Sequence, residues 1–285
     1  MDKTIVDQAE KLRLMVRDRK KTAQILAVTS GKGGVGKTSV AANLAICLRA
    51  AGKRVVLVDA DLGLANLDVL FNIKSRYNLA HVISGRRHID EIIQKAPGGV
   101  KLVCGASGLA EMAELTSFQR QRIIQELSTL ESQADIIIVD TGAGISPNVL
   151  AFCESADHTL LVATPEPTSV TDAYAMIKRL SQSGTGVKVS LLVNMAQSRL
   201  QAKNVYQRLS MTARKFLDIP ISDAGFILKD ERVPESVCNC EPVVLAYPRC
   251  QASYCFLALA SKINRGSDRS ALNDGFFKKV VNWFF

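Results

Sequence analysis

Apolar residues along this chain fall into short, β-branched runs separated by amphipathic stretches. The runs QILAVTS (24–30), RVVLVDA (54–60), VKLVCGA (100–106), DIIIVDT (135–141), HTLLVAT (158–164), VKVSLLVN (187–194) and ISDAGFI (221–227) read as strands. Between them, residues 37–51, 118–131, 168–180, 200–217 and 250–263 read as helices, and 78–95 as one or two short ones. Gly52 closes the first helix. Apolar strands alternating with helices predict an α/β fold of three layers, with a mostly parallel central sheet covered by helices on both faces.

The two ends depart from this rhythm. Residues 1–22 are polar, with a narrow helical stripe of Ile5, Ala9, Leu12 and Val16, and read as an arm ahead of the core at 23–264. RGSDRS (265–270) reads as a linker and begins a C-terminal extension, 265–285. Its last residues, DGFFKKVVNWFF, form a helical pattern with Phe276, Phe277, Val280, Val281, Trp283 and Phe284 on one face and Lys278, Lys279 and Asn282 on the other. Aromatic bulk opposite lysines is the pattern of a helix lying in a membrane interface. The other reading is that the segment packs on its own core.

Composition narrows the setting. The chain has 285 residues, 47% hydrophobic and 22% charged, enough for a full core and against wholesale disorder. The formal net charge of +9 permits an anionic partner and demands none, and specific nucleic-acid binding is not expected. Seven scattered cysteines form no disulfide framework, which suits a reducing cytoplasm. The N-terminus lacks the apolar core of a signal peptide, and no apolar run approaches bilayer-spanning length. Membrane contact is therefore expected to be peripheral, on the inner face of the cytoplasmic membrane.

The chemistry lies in SGKGGVGKTS (30–39), which fits G-x-x-x-x-G-K-[ST] with Gly31, Gly36, Lys37 and Thr38. A strand before and a helix after give the motif its proper context. Backbone N–H groups of Gly33, Gly34, Val35, Gly36, Lys37, Thr38 and Ser39 can then face phosphate. Lys37 would neutralise β/γ-phosphate charge, and the Thr38 hydroxyl would ligate Mg²⁺. Asp59 and Asp61 stand at the end of one strand and Asp140 at the end of another, where ligands of open α/β sheets bind. An aspartate there can hold Mg²⁺, and Asp61 can orient or activate water. A nucleotide with β- and γ-phosphates, bound with Mg²⁺, is the expected ligand, and its hydrolysis the expected reaction. A second lysine, Lys32, stands at the mouth of the loop with no role in the general motif.

With that extra lysine, KGGVGKT, DADLGLANLD and VDTGAG together resemble the deviant Walker A ATPases of the MinD/ParA type, over about residues 24–263. The resemblance implies a P-loop NTPase fold and an ATP-dependent homodimer. It implies that Lys32 contacts phosphates of the opposite subunit, while Lys37 acts in its own. It makes Asp61 the water-positioning residue of switch I and Asp140 the switch II aspartate. Glu166 falls near the ribose across the dimer, Asp172 near that interface, and Asn194 at the adenine. KDERVPES (229–236) occupies the other adenine-side segment but lacks the proline usual before its acidic residue.

Within that family, DLGLANLDVLF, VDTGAGIS and EPTSVTDAYAMIK most resemble the flagellar-number regulators, FlhG or FleN. Their N-terminal element is similar to DQAEKLR (7–13), which implies stimulation of an FlhF-type GTPase with Gln8 and Arg13 as the polar residues to test. A flagellar transcription factor or switch-complex component is a further candidate partner. The alternatives are a septum-site-determining ATPase, a ParA-type DNA-partitioning ATPase, and an iron–sulfur carrier. The last has only Cys238-Asn-Cys240 to offer, a C-x-C rather than the C-x-x-C of that branch.

Overall fold

The computed structural model describes residues 23–61, 63, 65–105, 116–183 and 186–267. The arm at 1–22, with Gln8 and Arg13, and the C-terminal face from Phe276 to Phe284 lie outside the described residues.

β1 (Gln24–Ser30) leads through the glycine-rich loop into α1 (Lys37–Ala50), and β2 (Val55–Ala60) follows. Two short helices come next, α2 (Leu67–Leu70) and α3 (Leu79–Ile83), then β3 (Ile93–Lys95) and β4 (Lys101–Val103). The alternation resumes with α4 (Ser117–Thr129), β5 (Ile136–Ala143), α5 (Pro147–Ser155), β6 (His158–Ala163) and α6 (Pro167–Gln182). It ends with β7 (Val189–Ala196), α7 (Arg199–Leu217), β8 (Ser222–Leu228), α8 (Arg232–Cys238), α9 (Val243–Ala246) and α10 (Gln251–Ser267).

The sheet order is β3-β4-β2-β5-β1-β6-β7-β8, and every pairing is parallel except β3 with β4. β1 lies between β5 and β6, so the chain leaves it toward one half of the sheet and later fills the other. The crevice at such a switch point, beyond the carboxyl ends of the strands, is where open α/β sheets bind ligands. The glycine-rich loop sits there because it follows β1.

Alternation along β5 sends Ile136 and Ile138 into one apolar cluster, and Ile137 and Val139 into the other. A strand buried on both faces needs apolar residues at every position, which is why these runs read as continuous. α1 is buried nearly all round: Val40, Ala41, Leu44, Ala45 and Leu48 are fully enclosed, as are Cys255, Phe256 and Leu259 of α10 in the same cluster. The helix that follows the loop is therefore clamped between the sheet and α10.

Two expectations change. Residues 78–95 are not simply helical: Leu79–Ile83 is one helix, Ile89–Glu91 a single 3-10 turn, and Ile93–Lys95 an edge strand. Three residues are too few to show a period, and an edge strand is covered on one side only. The second change is at the C-terminal end, where α10 continues to Ser267, past the expected stop at 263. α5 follows the GAGIS loop with Ser146 as N-cap and Pro147 at its first position. Its nine residues are too few for a strong periodic signal.

Candidate nucleotide site

The loop at 31–36 is shaped by contacts that exclude side chains. A Cβ on Gly31 would lie 2.2 Å from the backbone carbonyl oxygen of Asp172, so the base of the loop packs directly on α6. Gly36 has φ 84° and ψ 22°, a left-handed conformation that glycine adopts without penalty. A Cβ there would meet Asn194 Nδ2 at 2.5 Å. The same Nδ2 donates to Val35 O at 2.8 Å, so Asn194, at the end of β7, supports the loop from beneath. At Gly33 and Gly34, by contrast, an added Cβ would meet nothing within 4 Å, and this side of the loop is open.

Behind the loop stand two buried carboxylates. Asp59 and Asp140 are register partners on neighbouring strands, β2 and β5, and both are almost wholly buried. Their environments differ. Asp59 accepts backbone N–H groups from Asp61 (3.2 Å), Asn66 (3.0 Å) and Leu67 (3.0 Å). Burial, and then the charge of Asp140, push its pKa up to about 7 against those three donors. Asp140 has no hydrogen-bond partner for either oxygen among the described residues. Lys37 Nζ lies 3.6 Å away, itself only 7% exposed. Burial raises the Asp140 pKa to about 6, with Lys37 and the Thr38 hydroxyl pulling it partway back.

A buried carboxylate with no hydrogen bond to either oxygen, and one lysine at 3.6 Å, is costly unless something more pairs with it. Asp140, with Thr38 and Lys37 beside it and an open glycine loop above, fits a Mg²⁺-bearing nucleotide. Asp140 and Thr38 would hold the cation, and Lys37 and the loop amides the phosphates. Asp61 lies at the same end of the sheet, its Oδ1 3.6 Å from where a Cβ on Gly142 of β5 would stand.

Lys32 is placed differently from Lys37. Its Nζ donates to Glu166 Oε2 at 3.1 Å and to Thr168 Oγ1 at 2.9 Å, both at the start of α6. The lysine side chain is 38% exposed and the glutamate 66%, so this pair contributes little to stability. It marks a solvent-facing rim. Asp172 sits on the same helix, half-buried beneath Gly31.

The structure thus brings together Gly33, Gly34, Val35, Gly36, Lys37, Thr38, Ser39, Asp61 and Asp140 around one open loop, with Lys32, Glu166 and Asp172 at its rim. Sequence reasoning missed Thr168 as a partner of Lys32, since that contact spans 136 positions. It also missed the loop-bearing role of Asp59, whose strand-end position signalled only nearness to the site.

Comparison with known proteins agrees with this geometry. Residues 23–192 match the family model described as an AAA domain. The chain is 43% identical over 241 residues to the antiactivator FleN of Pseudomonas aeruginosa, covering 85% of this chain and 86% of that protein. It is 38% identical to the flagellum site-determining protein YlxH of Helicobacter pylori, covering 69% of this chain and 66% of that protein. Among solved structures, the cell division ATPase MinD of Pyrococcus furiosus superposes with a TM-score of 0.72 at 24% identity, covering 85% of this chain and 99% of that one. The signature lysine loop, the two strand-end aspartates and these similarities together make the chain a member of the MinD/ParA-type P-loop ATPases, in the FleN (FlhG) group.

Proposed function

We propose that this ATPase is a nucleotide-controlled switch that sets flagellar number or placement. In this reading ATP joins two copies face to face. The dimer associates peripherally with the membrane through Phe276, Phe277, Val280, Val281, Trp283 and Phe284, and the 1–22 arm stimulates an FlhF-type GTPase through Gln8 and Arg13. Among the described residues no helix is long and apolar enough to cross a membrane. The flagellar output is suggested by the names of the relatives FleN and YlxH.

The observation that carries the reading is the division of labour between the lysines. Lys37 is buried against Asp140 within its own site, while Lys32 stands out at the exposed rim on Glu166 and Thr168. A cation at the rim is available to phosphates that arrive on another subunit. Two ATP-bearing faces would otherwise repel, and a lysine reaching across offsets that charge and makes association depend on the γ-phosphate.

Within each site the chain's residues divide the work. The loop amides and Lys37 bind and orient the phosphates. Asp61, hung at the end of β2, positions a water for in-line attack on the γ-phosphorus. Mg²⁺, which Asp140 and Thr38 would hold, would supply charge neutralisation for the phosphates. Such sites hydrolyse slowly until a partner completes them, which suits a switch better than a metabolic enzyme.

The partner assignment is tested by GTPase assays of an FlhF-type protein with the full chain and with Gln8→Ala and Arg13→Ala. Stimulation by wild type that both variants reduce supports it. Equal stimulation by all three, or none by wild type, removes the arm's proposed role.

A further inference from the structure

We infer that Asp59 and Gly105 are positioning residues for hydrolysis: together they seat the loop that carries Asp61. This rests on the reading of Asp61 as the residue that orients the attacking water.

One carboxylate holds the loop at both of its ends. Asp59 Oδ1 takes the N–H of Asp61, where the chain leaves β2. Asp59 Oδ2 takes the N–H groups of Asn66 and Leu67, where it enters α2. Leu67, Leu70 and Phe71 are buried, so the far end of the loop is anchored in the core. Asp61 thus leaves β2 from a tethered backbone N–H, with its Oδ1 3.6 Å from where a Cβ on Gly142 of β5 would stand.

Gly105, just past β4, closes the seat from the other side. A Cβ there would lie 2.9 Å from Asp59 O, 3.0 Å from Asp59 Cγ and 2.8 Å from Ala65 Cβ. It would press at once on the carboxylate and on the loop that the carboxylate holds. No other side chain fits without moving one or the other.

The choice of aspartate is itself informative. A fully buried carboxylate costs far more than a carboxamide. A carboxamide, however, offers only one acceptor oxygen, and the three donors divide between both oxygens. Asp59→Asn keeps the Asn66 and Leu67 bonds only by turning its NH₂ toward the N–H of Asp61. One end of the loop is then released and repelled. The substitution is isosteric, so it acts on the seat rather than on packing.

The test is single-turnover and steady-state ATP hydrolysis by full-length wild type, Asp59→Asn, Gly105→Ala and Asp61→Ala, with nucleotide affinity and urea midpoint measured in parallel. Misplacement of a reacting group by about 1 Å costs on the order of 100-fold in rate. Accordingly kcat should fall about 10- to 100-fold in Asp59→Asn and about 10-fold in Gly105→Ala, with KM and ATP affinity held within about threefold. Loss of kcat and affinity in equal measure in Asp59→Asn would make Asp59 a nucleotide-binding residue and overturn the inference. So would wild-type kcat in Asp59→Asn while Asp61→Ala is inactive. Wild-type kcat in Asp61→Ala would instead sink the assignment of Asp61, and the seat with it.

Discussion

Gly36→Ala probes how the phosphate loop is built. Gly36 sits at φ 84° and ψ 22°, where an L-residue pays ~1–2 kcal/mol. The new methyl would also lie 2.5 Å from Asn194 Nδ2 and 3.3 Å from the Met195 methyl carbon. Asn194 must swing aside and give up its bond to Val35 O, in a place where both residues are buried. Leaving a buried donor and acceptor unpaired costs a further ~1–3 kcal/mol. Partial relaxation brings the expected loss to about 2–3 kcal/mol in urea unfolding without nucleotide. The relaxed loop no longer aims its amides, so ATP affinity should fall at least about tenfold, or ~1.4 kcal/mol. Gly36→Ala/Asn194→Ala separates the two causes. It removes the clash and keeps the backbone strain, so the double variant should be more stable than the sum of the single losses by about 1 kcal/mol. Wild-type stability in Gly36→Ala, or strict additivity in the cycle, would refute the claim that Asn194 supports the loop.

Other predictions follow from the same geometry. Both strand-end carboxyls have folded-state pKa values above the ordinary carboxylate range, about 6 for Asp140 and about 7 for Asp59. The folded protein therefore holds these protons more tightly than the unfolded chain, and the stability this confers at low pH is lost as pH rises from about 4 through 6–7. Asp140→Asn removes that loss but leaves buried Lys37 without its counter-charge, so in urea without Mg²⁺ or nucleotide its stability relative to wild type should improve as pH rises from about 4 to about 7.5. A relative stability that worsens as pH rises over that range would contradict the account of Asp140 as a carboxylate disfavoured by burial. Adding Mg²⁺-ATP should shift the balance toward wild type, because wild type alone keeps the carboxylate that would hold the cation. Burial pushes the thiols of Cys47 and Cys153 up to about 12, and those of Cys104 and Cys255 to about 11, whereas Cys238 is exposed. Brief alkylation of the native protein, read by peptide mass mapping, should label Cys238 and spare those four until urea is added. Lys37→Ala should impair ATP binding itself, checked by equilibrium titration, because its side chain is buried beside Asp140, behind the phosphate loop.

Much of this molecule was legible in its sequence, for identifiable reasons. The apolar strands are buried on both faces, so their runs were continuous, and the glycine loop lies between a clear strand and a clear helix. β3 was not legible, because three residues at a sheet edge, two half-buried and one exposed, carry no period. Nor was α5, a nine-residue helix behind an irregular loop. In the site, Lys37 and Thr38 were found from spacing, since the phosphate motif fixes them along the chain, and Asp140 from its place at the end of a clear strand. Thr168 beneath Lys32, Asn194 beneath Val35, and Gly105 against Asp59 are set by packing between elements distant in sequence. A single sequence holds no local signal for such contacts.

The central claim is that Lys32 completes a second subunit's site. Solution mass by light scattering, for wild type, Asp61→Ala and Lys32→Ala with ATP and with ADP, tests it most directly. The account predicts the 30.9 kDa monomer mass for all three with ADP, twice that mass for wild type and Asp61→Ala with ATP, and monomeric Lys32→Ala that still binds ATP. An ATP dimer that forms equally well without Lys32, or no ATP dimer in either wild type or Asp61→Ala, would contradict it.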